Sequence, residues 1–252
     1  MKSAIQIIID PDKCIGCGAC VDDCLYHVLE VQDGVARVLR DDCFQCGHCL
    51  AICPVNAVRM EGIADEIREK DETWTLDPDQ LKTHLKLRRS IRQYRQAPVE
   101  REKLQEVIEA GRLTPSGSNL QNVRYIVIQQ GIDALEDAII AQYREEGGLD
   151  LSKYRLERGV LFHHAPALIL AVSENSTNAF LAAMSMELMA ESLGLGALYV
   201  GLFVRPANKN AAVRRSLGIA ENENIAVCLA LGYPAVTYLR SAPKNPANVV
   251  WR

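Results

Sequence analysis

Eight of the nine cysteines fall in two runs of matched spacing within the first quarter of the chain. Cys14, Cys17, Cys20 and Cys24 form the first run, and Cys43, Cys46, Cys49 and Cys53 the second. Both read C-x2-C-x2-C-x3-C. Two-residue gaps let three successive thiolates point inward around one [4Fe–4S] cube. The fourth cysteine, where the chain begins a helix, points away from it. The chemistry this implies is transfer of single electrons. Zinc ribbons use two C-x2-C pairs rather than four-cysteine runs, and a brown protein with broad visible absorption excludes zinc.

The runs repeat with a period of 29 residues, Cys14 to Cys43. Asp12 and Asp42 precede them, and short apolar segments follow, Leu25–Leu29 and Val55–Val58. This internal duplication resembles a two-cluster bacterial ferredoxin. The resemblance implies one site of Cys14, Cys17, Cys20 and Cys53, and a second of Cys43, Cys46, Cys49 and Cys24. Gly16, Gly18 and Gly47 would allow backbone N–H groups to approach the clusters. One departure stands out: Pro54 follows Cys53, but Leu25 follows Cys24.

A second group of chemically capable residues lies at Arg88-Arg89-Ser90-Ile91-Arg92-Gln93-Tyr94-Arg95, four arginines in eight positions. Composition alone reads as a solvated basic surface. Guanidinium forks beside a serine hydroxyl also suit the oxygens of a phosphate. A polar loop follows, Pro115-Ser116-Gly117-Ser118-Asn119-Leu120-Gln121-Asn122. Further on comes Gly194-Leu195-Gly196-Ala197-Leu198-Tyr199-Val200-Gly201, which lacks the spacing of a dinucleotide fingerprint, and then Gly232-Tyr233-Pro234. Together these segments resemble the nitroreductase family of FMN-dependent oxidoreductases over about residues 80–252. Asn122 stands where that family usually has proline, and Val123 where many members have tryptophan.

The resemblance implies that Arg88, Ser90 and Arg92, with Arg89 as neighbour, hold the FMN phosphate and ribityl chain. Pro115, Ser116, Ser118, Asn119 and Gln121 belong to the loop expected to approach the flavin from the other subunit of a homodimer. Tyr199, Val200 and Gly201 are expected beside the flavin ring, and Arg240 or Lys244 on the phosphate. No residue stands out as a general acid, so no catalytic side chain is assigned and water is the candidate proton source.

The elements that must position these groups follow from local pattern. Ala4–Ile9 and Val35–Leu39, after an Asp33-Gly34 turn, read as strands. Residues 61–73 are charged and unpatterned, and Asp77-Pro78-Asp79-Gln80 opens a helix carrying Leu81, Leu85 and Leu87. A helix over Glu102–Leu113, a strand over Val123–Gln129, a helix over Asp133–Tyr143 and a strand over Ala167–Ser173 follow. Residues 145–159 read as a mobile lid or a pocket segment. His163-His164 precede the strand, where neighbours face opposite ways, so at most one faces a pocket. Asn178–Leu193 is apolar nearly all round and must be covered on most sides; the resemblance makes it the central helix of an intimate dimer. Glu187 and Glu191 inside it argue against membrane insertion. Ala207–Leu217 reads as one helix capped by Gly218, and Ile225–Leu231 as a buried strand with Cys228 packed in it. Residues 238–252 read as an extended arm.

The expected architecture is α+β. A ferredoxin-like 2[4Fe–4S] domain at 1–62 and a linker at 63–79 precede a nitroreductase-like FMN domain at 80–252, a central sheet flanked by helices in an intertwined dimer. The net charge of −4 gives no reason to expect nucleic acid or an anionic membrane as partner. The N-terminus reads as a strand rather than a signal peptide, and reduced thiols suit a cytoplasmic location.

The expected function is passage of electrons between the clusters and FMN, with hydride transfer from FMN to a nitroaromatic, quinone or activated alkene. The alternative is an electron relay to a partner protein, with no small-molecule substrate. Either NAD(P)H or reduced ferredoxin could be the donor. Cys46→Ala is expected to abolish turnover driven by reduced ferredoxin while leaving any direct reduction of the flavin by NAD(P)H intact. Steady-state assays with each donor distinguish the two routes.

Overall fold

The computed structural model describes residues 5–63, 65–147 and 153–252. Its contacts divide the chain into two compact units, Met1–Trp74 with Gly117–Leu120, and Thr75–Ser116 with Gln121–Arg252.

The first unit repeats its backbone as it repeats its sequence. Strand β1 (Gln6–Ile9) pairs antiparallel with β4 (Val58–Glu61), and β2 (Leu29–Gln32) with β3 (Val35–Val38). Ala4, expected in the first strand, lies outside the described residues. Asp33 and Gly34 both take positive φ, 53° and 77°, as a two-residue hairpin of matching twist requires. Helices α1 (Ala19–Asp22) and α2 (His48–Ala51) each start from a left-handed glycine, Gly18 and Gly47. The left-handed positions Gly16 and Gln45, and His27 and Asn56, also stand one repeat apart. Cys20, Val28, Leu29, Ala36, Cys49 and Val58 form the small core, with Ile7 and Ile9 against it. Gly16 has no freedom to change: a Cβ there would lie 2.3 Å from the Gly34 carbonyl oxygen.

The second unit is built on an antiparallel sheet of order β5-β6-β8-β7, with β5 Arg124–Ile128, β6 Ala167–Ser173, β7 Gly196–Tyr199 and β8 Asn224–Gly232. Every residue of β6 is buried, because helices cover both faces. Alternation along the strands sorts their side chains. Leu168, Leu170, Cys228 and Ala230 face Leu135 and Ile139 of α5 (Ile132–Glu146) and Phe203 of α7 (Gly201–Lys209). Ala167, Ile169, Leu229 and Leu231 face Leu104 and Val107 of α4 (Arg101–Arg112) and Ala179, Ala183 and Met186 of α6 (Ser176–Ser192). The expected arrangement, a sheet between helical layers, is the one found.

Three local expectations are corrected. The helix read over 207–217 is two helices, α7 and α8 (Ala211–Ser216), divided at Asn210. Asn210 ends α7, and its side-chain oxygen accepts from the N–H groups of Ala212 and Val213, a cap that competes with continuing the first helix. Helix α3 (Pro78–Leu87) opens as expected, Asp77 Oδ1 accepting from Gln80 N at 2.7 Å, but it buries none of its leucines within the chain. His163 and His164 sit in a left-handed turn, φ 52° and 57°, rather than on a strand. Within the single chain the small residues of α6 meet the sheet and α4, while Phe180, Leu181 and Met184 stay exposed on the side expected to meet a partner. Residues 148–152 of the expected lid lie outside the described residues.

The arginine segment is tied across the end of this sheet. Ile91 N donates to Ala197 O at 3.0 Å, Arg95 N to Tyr233 O at 2.8 Å, and Tyr94 Oη to Ala230 O at 3.1 Å. Ile91 lies directly on Gly196, where a Cβ would come within 2.3 Å of Ile91 Cγ1. Gly196→Ala should therefore destabilise the second unit by about 1–3 kcal/mol, as overpacking does elsewhere. Urea denaturation checks this; a loss below about 0.5 kcal/mol would show that Ile91 moves aside freely.

Candidate redox and phosphate sites

In the first unit, Cys14, Cys17, Cys20 and Cys53 line one cavity with Ile9, Ala36 and Val58. The fourth cysteine of the second run thus stands beside the first three of the other. Backbone donors reach the ligand sulfurs: Ala36 N is 3.3 Å from Cys14 Sγ, Ala57 N 3.2 Å from Cys53 Sγ and Gln45 N 3.2 Å from Cys43 Sγ. Burial raises the Cys53 thiol, but the N–H groups around it outweigh burial and lower its pKa. Burial pushes Cys49 up to about 11, with Cys43 adding to the effect, and it raises Cys20 as well. A thiolate at these two positions needs a positive partner in direct contact, which iron provides. Among the described residues no three or more Cys, His, Asp or Glu side chains form a group suited to a single metal ion. A cube held at its corners asks instead for sulfurs spread around a cavity. The residues fit an iron–sulfur cluster.

The loop tip Gly117–Leu120 belongs to this first unit, where Asn119 Nδ2 donates to the Gln45 carbonyl at 2.6 Å. Ser118, Asn119 and Gln121 all take φ near +50°. Three such non-glycine residues in four positions form a strained loop, of the kind found at binding sites.

In the second unit the sequence-derived residues gather in separate places. Arg88 and Arg89 line a cleft of about 680 Å³ with Arg95, His84, Glu191, Gly194, Gly196 and Tyr238. Arg95 is exposed, although its Nε donates to Pro234 O at 3.0 Å. Pro115, Ser116 and Gln121 line a smaller cavity of about 90 Å³ with Asn178 and Tyr125. Ser116 Oγ accepts from Gln121 N at 2.9 Å, and Asn122, in place of the usual proline, is tied to Asn178 of α6 at 2.9 Å. Ser90 is half-buried and Arg92 exposed. His163 has its pKa lowered by burial and by the positive charge of Arg92. Arg240 and Lys244 are exposed on an extended tail.

The segment at Tyr199–Gly201 is where the fold leaves an opening. The Tyr199 side chain turns toward the α6 layer, and the Val200 N–H is used on Cys228 O at 2.8 Å. Gly201 begins α7, so the first N–H groups of that helix have no partner within it. Nothing among the described residues requires a glycine here. Its φ is not left-handed, and a Cβ would meet no atom within 4 Å. The exposed glycine leaves room for a group from outside the chain to reach a helix N-terminus.

One buried charged side chain beside the arginine segment was not among the site residues the sequence suggested. Glu187 is 1% exposed, and its Oε1 lies 2.6 Å from an Arg88 guanidinium nitrogen. The signal was present in the sequence, as two acidic residues one turn apart on an otherwise apolar helix.

Comparison with known proteins assigns both parts of the chain to known families. Residues 85–233 match the family model described as the nitroreductase family, and residues 7–60 the model of a 4Fe-4S dicluster domain. A ferredoxin of Pyrobaculum islandicum is 34% identical over 83 residues, covering 31% of this chain and 78% of that protein. Among solved structures, an FMN-bound nitroreductase from Bacteroides fragilis superposes with a TM-score of 0.58 at 23% identity, covering 69% of this chain and 97% of that one. A putative nitroreductase in complex with FMN from Desulfovibrio desulfuricans gives 0.52 at 27% identity, covering 68% and 94%. Among the described residues no helix is long and apolar enough to cross a membrane.

Gly201→Ala is expected to leave the melting temperature of the flavin-free protein unchanged or slightly higher, since alanine favours a helix. The same change should weaken FMN binding by tenfold or more, on the order of 1.4 kcal/mol. Fluorescence titration of the flavin checks it.

Proposed function

The chain belongs to the nitroreductase family, and from that premise we propose that it is an iron–sulfur flavoprotein oxidoreductase that reduces a small, flat organic acceptor. The observation that carries the reading is Gly201, an exposed glycine with open space before it at the start of α7. Each [4Fe–4S] cluster carries one electron and FMN exchanges electrons singly or in pairs, so two clusters match the two electrons of one hydride.

The protein's part is to bind, orient and shield. Cys14, Cys17, Cys20 and Cys53 hold one cluster, and Cys43, Cys46, Cys49 and Cys24 the other. N–H groups at Ala36, Gln45 and Ala57 donate to ligand sulfurs and favour the more negative, reduced state. Arg88, Arg89, Ser90 and Arg92, joined by Arg240 or Lys244, take the FMN phosphate. The first turn of α7 faces the ring, and its partial positive charge favours electron density there.

A homodimer is part of this reading. The single chain gathers its flavin residues in separate places, and α6 exposes Phe180, Leu181 and Met184 in one stretch. A second copy would cover that apolar face and complete the site with the Pro115–Gln121 loop. The donor is reduced ferredoxin or NAD(P)H, and the acceptor a nitroaromatic, a quinone or an activated alkene.

Anaerobic photoreduction, followed by rapid oxidation with a panel of such acceptors, tests the reading. Cluster and flavin absorbance should bleach together and recover in step with the acceptor added. Protein purified without flavin would refute it. Recovery with protein acceptors alone would favour the electron relay.

A further inference from the structure

Glu187 is an anion in a place that should be apolar. It lies on the sheet side of α6, between Ala183 and Ala190, with its side chain 2% exposed. Burying an unpaired carboxylate costs several kcal/mol. Here two groups compensate it. Arg88 approaches Oε1 at 2.6 Å, and the Tyr199 hydroxyl shares a hydrogen bond with the same carboxylate. Burial, reinforced by the negative charge of Glu187, raises the Tyr199 phenol, which therefore stays neutral and acts as donor.

The arrangement continues along the helix. One turn on, Glu191 lies 2.8 Å from His84 of α3. Burial raises the Glu191 carboxyl more than the nearby His84 lowers it. Arg88, His84 and Glu191 all line the 680 Å³ cleft, whose wall also carries Arg89 and Arg95. The Arg88 side chain is 28% exposed against 2% for its partner. One edge of the guanidinium is anchored inside the protein and the other is open to the cleft. A guanidinium has five N–H donors, so a carboxylate behind it leaves several for an anion in front.

We propose that Glu187 is the positioning residue of the FMN phosphate site: its buried carboxylate holds the Arg88 guanidinium on the wall of the cleft and ties it, through the Tyr199 hydroxyl, to the end of strand β7, just before α7 begins at Gly201. This rests on the reading of Arg88 as a phosphate ligand. A free arginine loses rotamer freedom when it takes a phosphate, whereas one already fixed by a carboxylate does not. The same anchor connects the two ends of the cofactor. Arg88 would meet the phosphate, and Tyr199 lies two residues before the helix start that faces the ring.

The test compares FMN with riboflavin, which lacks the phosphate, on the deflavinated full-length protein. Glu187→Gln should weaken FMN binding about tenfold and leave riboflavin binding unchanged, so that the preference for FMN falls by the same factor. Equal losses for both ligands, or a lower melting temperature with unchanged preference, would mean that Glu187 only supports the fold, and would overturn the proposal. A rise in FMN affinity would also overturn it, because Glu187 would then compete with the phosphate for Arg88. Arg88→Met separates this proposal from the reading beneath it. If Arg88→Met keeps the preference for FMN, Arg88 is not a phosphate ligand. If it loses the preference while Glu187→Gln keeps it, only the positioning role fails. Should Arg88→Met misfold around an unpaired Glu187, the double replacement Arg88→Met with Glu187→Leu supplies the same comparison with no buried charge.

Discussion

The small side chains on one side of α6 let that helix lie close against the sheet. Ala179, Ala182, Ala183 and Ala190 are each buried to within 1% of their surface. Close approach has two effects. It forces the bulkier Phe180, Leu181 and Met184 outward, and it brings the polar residues of α6 within reach of two other segments. Asn178 meets Asn122, Ser185 meets Thr114 at 2.7 Å, and Glu187 meets Arg88. The loop after α4 and the arginine segment are therefore both referenced to one helix. Larger residues toward the sheet would lift α6 and loosen both together.

Tight approach recurs where α4 crosses α6. A Cβ on Gly111 would lie 2.7 Å from the Tyr125 hydroxyl and 2.9 Å from Met186 Cγ. The glycine lies inside a helix, where it costs about 1 kcal/mol relative to alanine. Packing explains its presence, just as Ile91 explains Gly196. Gly201 is the contrasting case, since no neighbour among the described residues accounts for it.

Much of this was legible in the sequence, for reasons that differ by element. The strand at Ala167–Ser173 was read at its observed boundaries because its apolar run is bounded on both sides by polar or turn residues. The two cysteine runs were legible because cluster ligation fixes spacing. The split at Asn210 was not, because a good N-cap and a helix-interior residue look alike until the fold decides which carbonyls are near. The role of Glu187 was hidden for a different reason. Its partner lies 99 positions away, and only the fold brings them together. The exposed face of α6 could be read as apolar, but its division into a small-residue side and a large-residue side depends on which face meets the sheet.

The first unit has little to hold it together besides its cysteines. Two of the residues in its buried core are Cys20 and Cys49, and the rest are two valines, a leucine and an alanine. A domain of this size is marginal on apolar burial alone, and binding energy at a metal site is also folding energy. Assembly of this half of the molecule is therefore linked to iron and sulfide supply. The second unit, with a fully buried central strand and helices on both faces, has a conventional core. The polypeptide thus joins a part whose folding is set by its own side chains to a part whose folding equilibrium is set by mass action. In a cell short of iron, the second unit can be folded while the cysteine-bearing unit remains unformed.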